Sequence, residues 1–284
     1  MRNLNKYHCL IIISSIIFIS LSIINFGKNE QNVADYSVYP MQVIDNEIRV
    51  GDTVLYRFIP VDGGEMMFAN PIQHEESYNG HTVKHNSVSA EIKYIPSFLI
   101  GETPVTDDLF IYVMEDTLIN NPMASISIRY ANVSIDTWKA FLEKLEQKTG
   151  RKFALPTSYQ WEYAARGGQK SKGYKYAGSN NIDEVAWYKN NTPEGILFKG
   201  KSKKPNELGL FDMSGGVLEL TSSTFFDLYP YFRQLESSMG GKQGNPTCLM
   251  ARGGNWSADS TTCETRYVGT QIMANTGVRL ILEY

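Results

Sequence analysis

Apolar residues are distributed unevenly, and the pattern divides the chain into parts. Cys9 to Phe26 reads CLIIISSIIFISLSIINF, eighteen residues without a charge, after a start that carries Arg2 and Lys6 and no acid. The Ile-rich run has no amphipathic face, which suits lipid better than a globular core. Its length is at the lower edge of the roughly 20 residues that a membrane-crossing helix needs. The basic-then-apolar order is also that of a secretory signal peptide, yet no small-x-small cleavage site follows. Residues 1–30 therefore read as a signal anchor or a signal peptide. In both cases the positive charge lies before the span, so the rest of the chain is expected to be exported, tethered by residues 9–26 or released if the leader is cleaved. A lipoprotein reading of Cys9 fails, because Tyr7 and His8 stand where small or branched apolar residues are required.

Residues 31–58 read as a linker with two short strands, around Gln42–Val50 and Thr53–Phe58. Ile59–Phe68 follows as strand, Gly-Gly turn, strand. His74–Asn86 is polar and predicts a solvated loop. Ile92–Ile100 is a strand-like apolar run ended by Gly101. Three helices are then predicted. Thr106 caps the first, with Asp107 and Asp108 at the positive end of its dipole and Leu109, Phe110 and Val113 facing inward. Ser134 opens the second; Ile135, Trp138, Phe141, Leu142 and Leu145 recur at spacings of three and four, and Gly150 ends it. Thr157 opens the third with Gln160 three residues on, a capping box, and the Gly167-Gly168 pair stops it. Beyond lie turns, short strands and aromatics. The fold class predicted is α+β with few regular elements and long loops.

Composition removes several classes. Of 284 residues, 42% are hydrophobic, enough to exclude wholesale disorder. Lys and Arg number 27 against 30 Asp and Glu, which gives no basic footprint for nucleic acid. Three cysteines exclude a disulfide-dense scaffold. An oxidising compartment would permit Cys248–Cys263 as a disulfide, and the spacing suits two separate thiols equally well. His81 and His85 have the spacing that aligns two rings on a helix for zinc, but the segment lacks helical periodicity and an H-E-x-x-H glutamate. All four histidines precede residue 86, so no Ser/His/Asp constellation is readable, and no glycine loop cradles a phosphate.

Several phrases occur in one order: Phe98–Thr106 (FLIGETPVT), Leu155–Gly168 (LPTSYQWEYAARGG), Asp183–Tyr188 (DEVAWY), Lys204–Gly215 (KPNELGLFDMSG), Arg252–Trp256 (RGGNW) and Gly277–Arg279 (GVR). Together they resemble the sulfatase-modifying-factor family, the formylglycine-generating enzymes and their relatives, over residues 59–284. The resemblance implies a C-type-lectin-like fold. It does not fix one function, since folds host many sites; the family spans copper-dependent oxidases, subunits fused to other catalytic domains, envelope structural proteins and variable ligand-binding proteins.

The oxidases hold copper(I) with two cysteines shortly after the RGG motif, because soft thiolates select that ion. Here the first position is Ala258 and only the second, Cys263, keeps its sulfur. Cys263 is the one catalytic candidate, and copper is not expected. The family's GNVWEW signature stands as Gly215–Leu220 (GGVLEL), without both tryptophans and the asparagine. In the family this loop binds calcium, and Asp212, the carbonyls of Gly215 and Val217, and Glu219 match the ligand positions, a hard-oxygen set. The alternative is that Asp212 and Glu219 only cap the loop. Arg252, Arg266 and Arg279, with Trp256, either line a groove for an acidic or peptide ligand or pair internally and pack. The reading that results is an exported, membrane-tethered binding or assembly module for a protein or peptide ligand in the cell envelope, with calcium as its cofactor and no nucleic-acid partner. The rival reading is an oxidase that converts a cysteine of a client sulfatase to formylglycine.

Overall fold

The structure is a computed structural model that describes residues 39–71, 75–78, 81–84, 88–115, 134–192, 200–228, 249–270 and 276–283. Cys9–Phe26, His74, His85 and Cys248 lie outside the described residues. Among the described residues no helix is long and apolar enough to cross a membrane.

In chain order the first elements are β1 (Met41–Ile44), β2 (Glu47–Val50), β3 (Thr53–Val61), β4 (Gly64–Pro71), β5 (Glu75–Tyr78), β6 (His81–Lys84), β7 (Val88–Ile95) and β8 (Phe98–Gly101). Helices α1 (Asp107–Met114) and α2 (Ile135–Thr149), strand β9 (Phe153–Ala154) and helix α3 (Ser158–Ala165) follow. Then come α4 (Ile182–Val185), β10 (Ala186–Trp187), β11 (Ser214–Gly215), β12 (Leu218–Thr224) and α5 (Phe225–Leu228). The chain closes with β13 (Leu249–Arg252), β14 (Gly269–Thr270), β15 (Thr276–Val278) and β16 (Ile281–Leu282).

An antiparallel six-stranded sheet runs β1-β2-β3-β8-β16-β9, so the last described strand lies between β8 and the edge strand β9. A four-stranded sheet, β14-β13-β12-β15, carries the second half. Asp45 and Asn46 both have positive φ, 49° and 63°, the backbone that a type I′ hairpin turn requires. The sequence boundary expected at residue 58 falls inside β3, and Tyr56 and Phe58 are buried with the core. The strand run expected at Ile92–Ile100 is two strands, since Pro96 has no N–H for a ladder. The strands on either side of the Gly-Gly turn do not pair with each other: β3 joins β8 and β4 joins β7. The polar stretch expected as a loop contains the β5–β6 hairpin, and His81 opens β6.

The helices follow their sequence signals. Thr106 Oγ1 accepts from Leu109 N, and Leu109, Phe110 and Val113 are buried. Ser134 Oγ accepts from Thr137 N at 3.1 Å, and Gly150 ends α2 at φ 67°. The capping box of α3 is complete: Gln160 N donates to Thr157 Oγ1 at 3.1 Å and Thr157 N donates to Gln160 Oε1 at 2.9 Å. The rings of Phe110, Trp138 and Phe141 pack at centroid distances of 5.3–5.6 Å, joining α1 to α2. Helix α3 lies against β12 and β13 with Trp161 fully buried among Phe68, Phe98, Ile100, Leu210 and Met213. Burying a side chain of this size contributes about 1.5–3 kcal/mol.

Candidate functional site

Two buried arginines organise the centre of the fold. Arg279, just after β15, has no exposed surface. Its Nε donates to Glu219 Oε2 at 2.9 Å and its Nη2 to Glu219 Oε1 at 2.8 Å, a two-pronged pair. Nη1 donates to the Gly101 carbonyl and Nη2 to the Phe211 carbonyl, each at 2.8 Å. Trp161 Nε1 also donates to Glu219 Oε2, at 2.7 Å. One guanidinium thus joins β8, β12 and the loop before β11. Burial opposes the Arg279 charge, but the Glu219 carboxylate outweighs it and the arginine pKa is raised.

Arg252, at the end of β13, is likewise wholly buried. Nε donates to Ser158 Oγ at 2.7 Å, Nη1 to the Tyr267 carbonyl at 3.2 Å, and Nη2 lies 3.1 Å from Glu162 Oε2. The other oxygen of Glu162 accepts from Arg166 Nη1 at 3.1 Å. Neither Arg252 nor Arg279 reaches a surface groove; both pair internally. Glu162, Ser158 and Arg166 were not singled out in the sequence. The available signal was one acid in the apolar stretch Trp161–Ala165: a carboxylate placed there must be buried, and a buried carboxylate needs a cation.

The same economy explains the KPNELGLFD phrase. Asn206 Nδ2 donates to the carbonyls of Ala164 and Ala165 at 2.8 and 3.2 Å, while its Oδ1 accepts from Leu208 N and Leu210 N. One side chain ties the end of α3 to the loop that leads to Asp212.

The RGG turn brings residues 258–263 against β11. Gly254 has φ 69°, and a Cβ there would meet the backbone of Thr262 at 2.7 Å, so only glycine permits the approach. Ser214 Oγ donates to the Cys263 carbonyl at 2.8 Å. Cys263 is a free thiol with no exposed surface, packed among Tyr176, Val185 and Tyr188. Its sulfur lies 4.0 Å from the Asp259 carbonyl oxygen, and burial pushes its pKa up to about 11. At neutral pH the sulfur is therefore a thiol, whereas copper(I) takes the thiolate. The Ala258 position offers only a methyl group; its N–H donates to the Asn255 carbonyl and its carbonyl accepts from Lys189 N.

Trp256 is half-buried and packs on Val217 beside Trp187. Arg266, by contrast, is exposed and lines a cleft with Arg166, Tyr174 and Lys175.

The loop from Asp212 to Glu219 places its two carboxylates differently. Asp212 is 5% exposed at φ 57°, and its Oδ2 accepts from Lys201 N at 2.9 Å. Burial pushes its pKa up to about 6 despite that hydrogen bond. A carboxylate has about four acceptor positions. Arg279 and Trp161 fill three of those on Glu219, which leaves one on Oε1. Among the described residues no cluster of three or more His, Cys, Asp or Glu side chains gathers for a metal. A calcium ion would have to rest on Asp212, the remaining position of Glu219 and backbone carbonyls of Gly215 and Val217. The donor set fits a hard cation, and Asp212 is a buried carboxylate with too little compensation of its own.

Comparison with known proteins places this geometry. The chain is 36% identical over 133 residues to "Chaperone protein LppX" of Paenibacillus barcinonensis, an alignment covering 41% of this chain and 43% of that protein. It is 34% identical over 80 residues to "Inactive C-alpha-formylglycine-generating enzyme 2" of Mus musculus, covering 25% and 26%. The alignments thus span less than half the length of these curated relatives. Among solved structures, Treponema denticola variable protein 1 superposes with a TM-score of 0.60 at 19% identity, covering 83% of this chain and 98% of that one. CarF gives 0.55 at 20% identity, covering 81% and 98%. At such identities the likeness is one of fold, the formylglycine-generating-enzyme-like variant of the C-type-lectin-like fold. Residues 52–284 match the sulfatase-modifying factor enzyme 1-like domain, and the chain belongs to that family.

Proposed function

We propose that this chain is an exported binding or assembly module that engages a protein ligand and carries no copper chemistry. The observation that carries this reading is the state of Cys263: a fully buried thiol held protonated by its apolar surroundings, with Ala258 where a second sulfur would be needed. The names of the two relatives, a chaperone and an inactive enzyme, point the same way for those proteins. Residues 9–26 supply the tether; full-length protein found soluble in a cytoplasmic fraction would end that part of the proposal. Copper(I) titration of the full chain in detergent tests the core of it. Wild type and Cys263→Ser should bind copper equally weakly. Tight binding by wild type that the serine variant loses would overturn the reading.

Calcium belongs to the same proposal. Asp212, Glu219 and the carbonyls of Gly215 and Val217 would hold one ion, which would compensate the buried Asp212 charge and stiffen the loop. An ion that binds only the native state stabilises it by about 2.7 kcal/mol at a hundredfold excess over Kd. Equal melting temperatures in calcium and in chelator would remove the site.

A further inference from the structure

Beside the buried arginines a cleft of about 250 Å³ opens between the segments Gly173–Asn180 and Glu264–Arg266. Its walls are fastened to each other. Thr265 donates to the Lys175 carbonyl through both N (3.1 Å) and Oγ1 (3.3 Å). Lys175 N donates to Asn180 Oδ1 at 2.9 Å, and Lys175 Nζ pairs with Glu264 Oε1 at 3.0 Å. The cleft exists before any ligand arrives.

Its charge is unbalanced. Lys175 and Glu264 neutralise each other, but Arg166 and Arg252 share the single carboxylate of Glu162, and Arg266 lines the cleft beside Arg166. That carboxylate is divided between Arg166 and Arg252. Arg266 makes no hydrogen bond or ion pair among the described residues, yet its charge reaches Arg166: burial lowers the Arg166 pKa, Glu162 opposes this, and Arg266 then Arg252 lower it further. An exposed guanidinium without a partner among the described residues, beside Arg166, which donates to the Met67 carbonyl at 2.9 Å and only shares Glu162 with Arg252, forms an electropositive recess that a planar anion would complete.

We propose that this cleft receives the carboxylate of an acidic side chain on a protein ligand, with Arg266 as its principal partner and Arg166 behind it. The proposal rests on the reading of the chain as a protein-binding module. A guanidinium fork matches the two oxygens of a carboxylate. The volume lies below the roughly 300–1,000 Å³ of pockets for larger small molecules, and suits one Asp or Glu side chain entering from the surface.

The test uses the full chain in detergent and a fluorescent hexaglutamate peptide with blocked ends, with hexaglutamine as control and inorganic phosphate as competitor. Hexaglutamate should bind, more weakly as salt rises, and hexaglutamine should not. Arg266→Gln should weaken binding by about tenfold or more, the scale of a charge-assisted hydrogen bond, and Arg266→Lys should restore part of it. Equal binding of hexaglutamine, or an unchanged affinity in Arg266→Gln, would overturn the proposal. So would displacement by phosphate at concentrations below those at which hexaglutamate binds, which would mark a free-anion site. A chain that fails with hexaglutamate but still suppresses aggregation of an unfolded protein would refute the cleft and leave the binding-module reading standing; loss of both would refute that reading as well.

Discussion

Arg279 and Arg266 are thirteen positions apart in the sequence and opposite in environment. Arg279 has no exposed surface, donates to one carboxylate twice and to two carbonyls, and joins strands of the six-stranded and four-stranded sheets. Arg266 is exposed and makes no hydrogen bond or ion pair among the described residues. The first is a folding residue, because burying a guanidinium is tolerable only where fixed partners replace water. The second is exposed, with no partner among the described residues, so a ligand could reach its charge. The same contrast separates the whole RGG–GVR framework from the turn at 258–266. The framework keeps the Arg279–Glu219 and Arg252–Glu162 pairs; the turn holds a methyl group and one buried thiol where the family's copper route would need two thiolates. A family's scaffold and its chemistry are separable, and the proposed reading is that here they have separated.

The largest effect that would sharpen the contrast is Arg279→Ala. Removing the guanidinium leaves Glu219 buried and unpaired, which costs about 3–5 kcal/mol, and urea unfolding should show a loss of that size or no folded protein. A loss below 1 kcal/mol would mean the pair is not the keystone assigned to it.

Asp212 comes next, and it titrates. Its folded pKa, about 6, lies above the ordinary 3.8, so the protonated form is favoured in the folded state. In chelator, the contribution of Asp212 to stability should be greatest below pH 4, fall as pH rises towards 6, and level off above. The difference amounts to about 3 kcal/mol. Asp212→Asn should abolish this decline and raise stability at pH 7 without calcium, while wild type alone should gain from calcium. Parallel pH profiles for the two proteins would contradict the account.

Thr157→Ala removes one half of the α3 capping box and should cost about 1 kcal/mol by thermal denaturation. Arg266→Gln should change stability by less than about 0.5 kcal/mol, as exposed substitutions do; a larger loss would show that Arg266 has a structural partner after all.

Much of this was legible in the sequence. The caps of α1, α2 and α3 are local chemistry, and Thr106, Ser134 and Thr157 act as their spacing implied. That position 258 carries no sulfur could also be read directly. Pairing across the sheet was not legible, because β3 and β4 are neighbours in sequence yet join β8 and β7. The partners of the two buried arginines were equally hidden: Glu219 lies 60 residues from Arg279, and Glu162 pairs with Arg252 from a separate helix. Sequence can show that an arginine is present, but only the fold decides whether it faces a carboxylate or water.

The central claim, a family scaffold without the family's copper oxidation, has one direct measurement. The full chain is incubated with copper, oxygen and a cysteine-containing sulfatase peptide, and mass spectrometry follows the cysteine side chain. The account predicts that the thiol persists and no aldehyde forms, with wild type and Cys263→Ser indistinguishable. Aldehyde produced by wild type and absent with Cys263→Ser would contradict it.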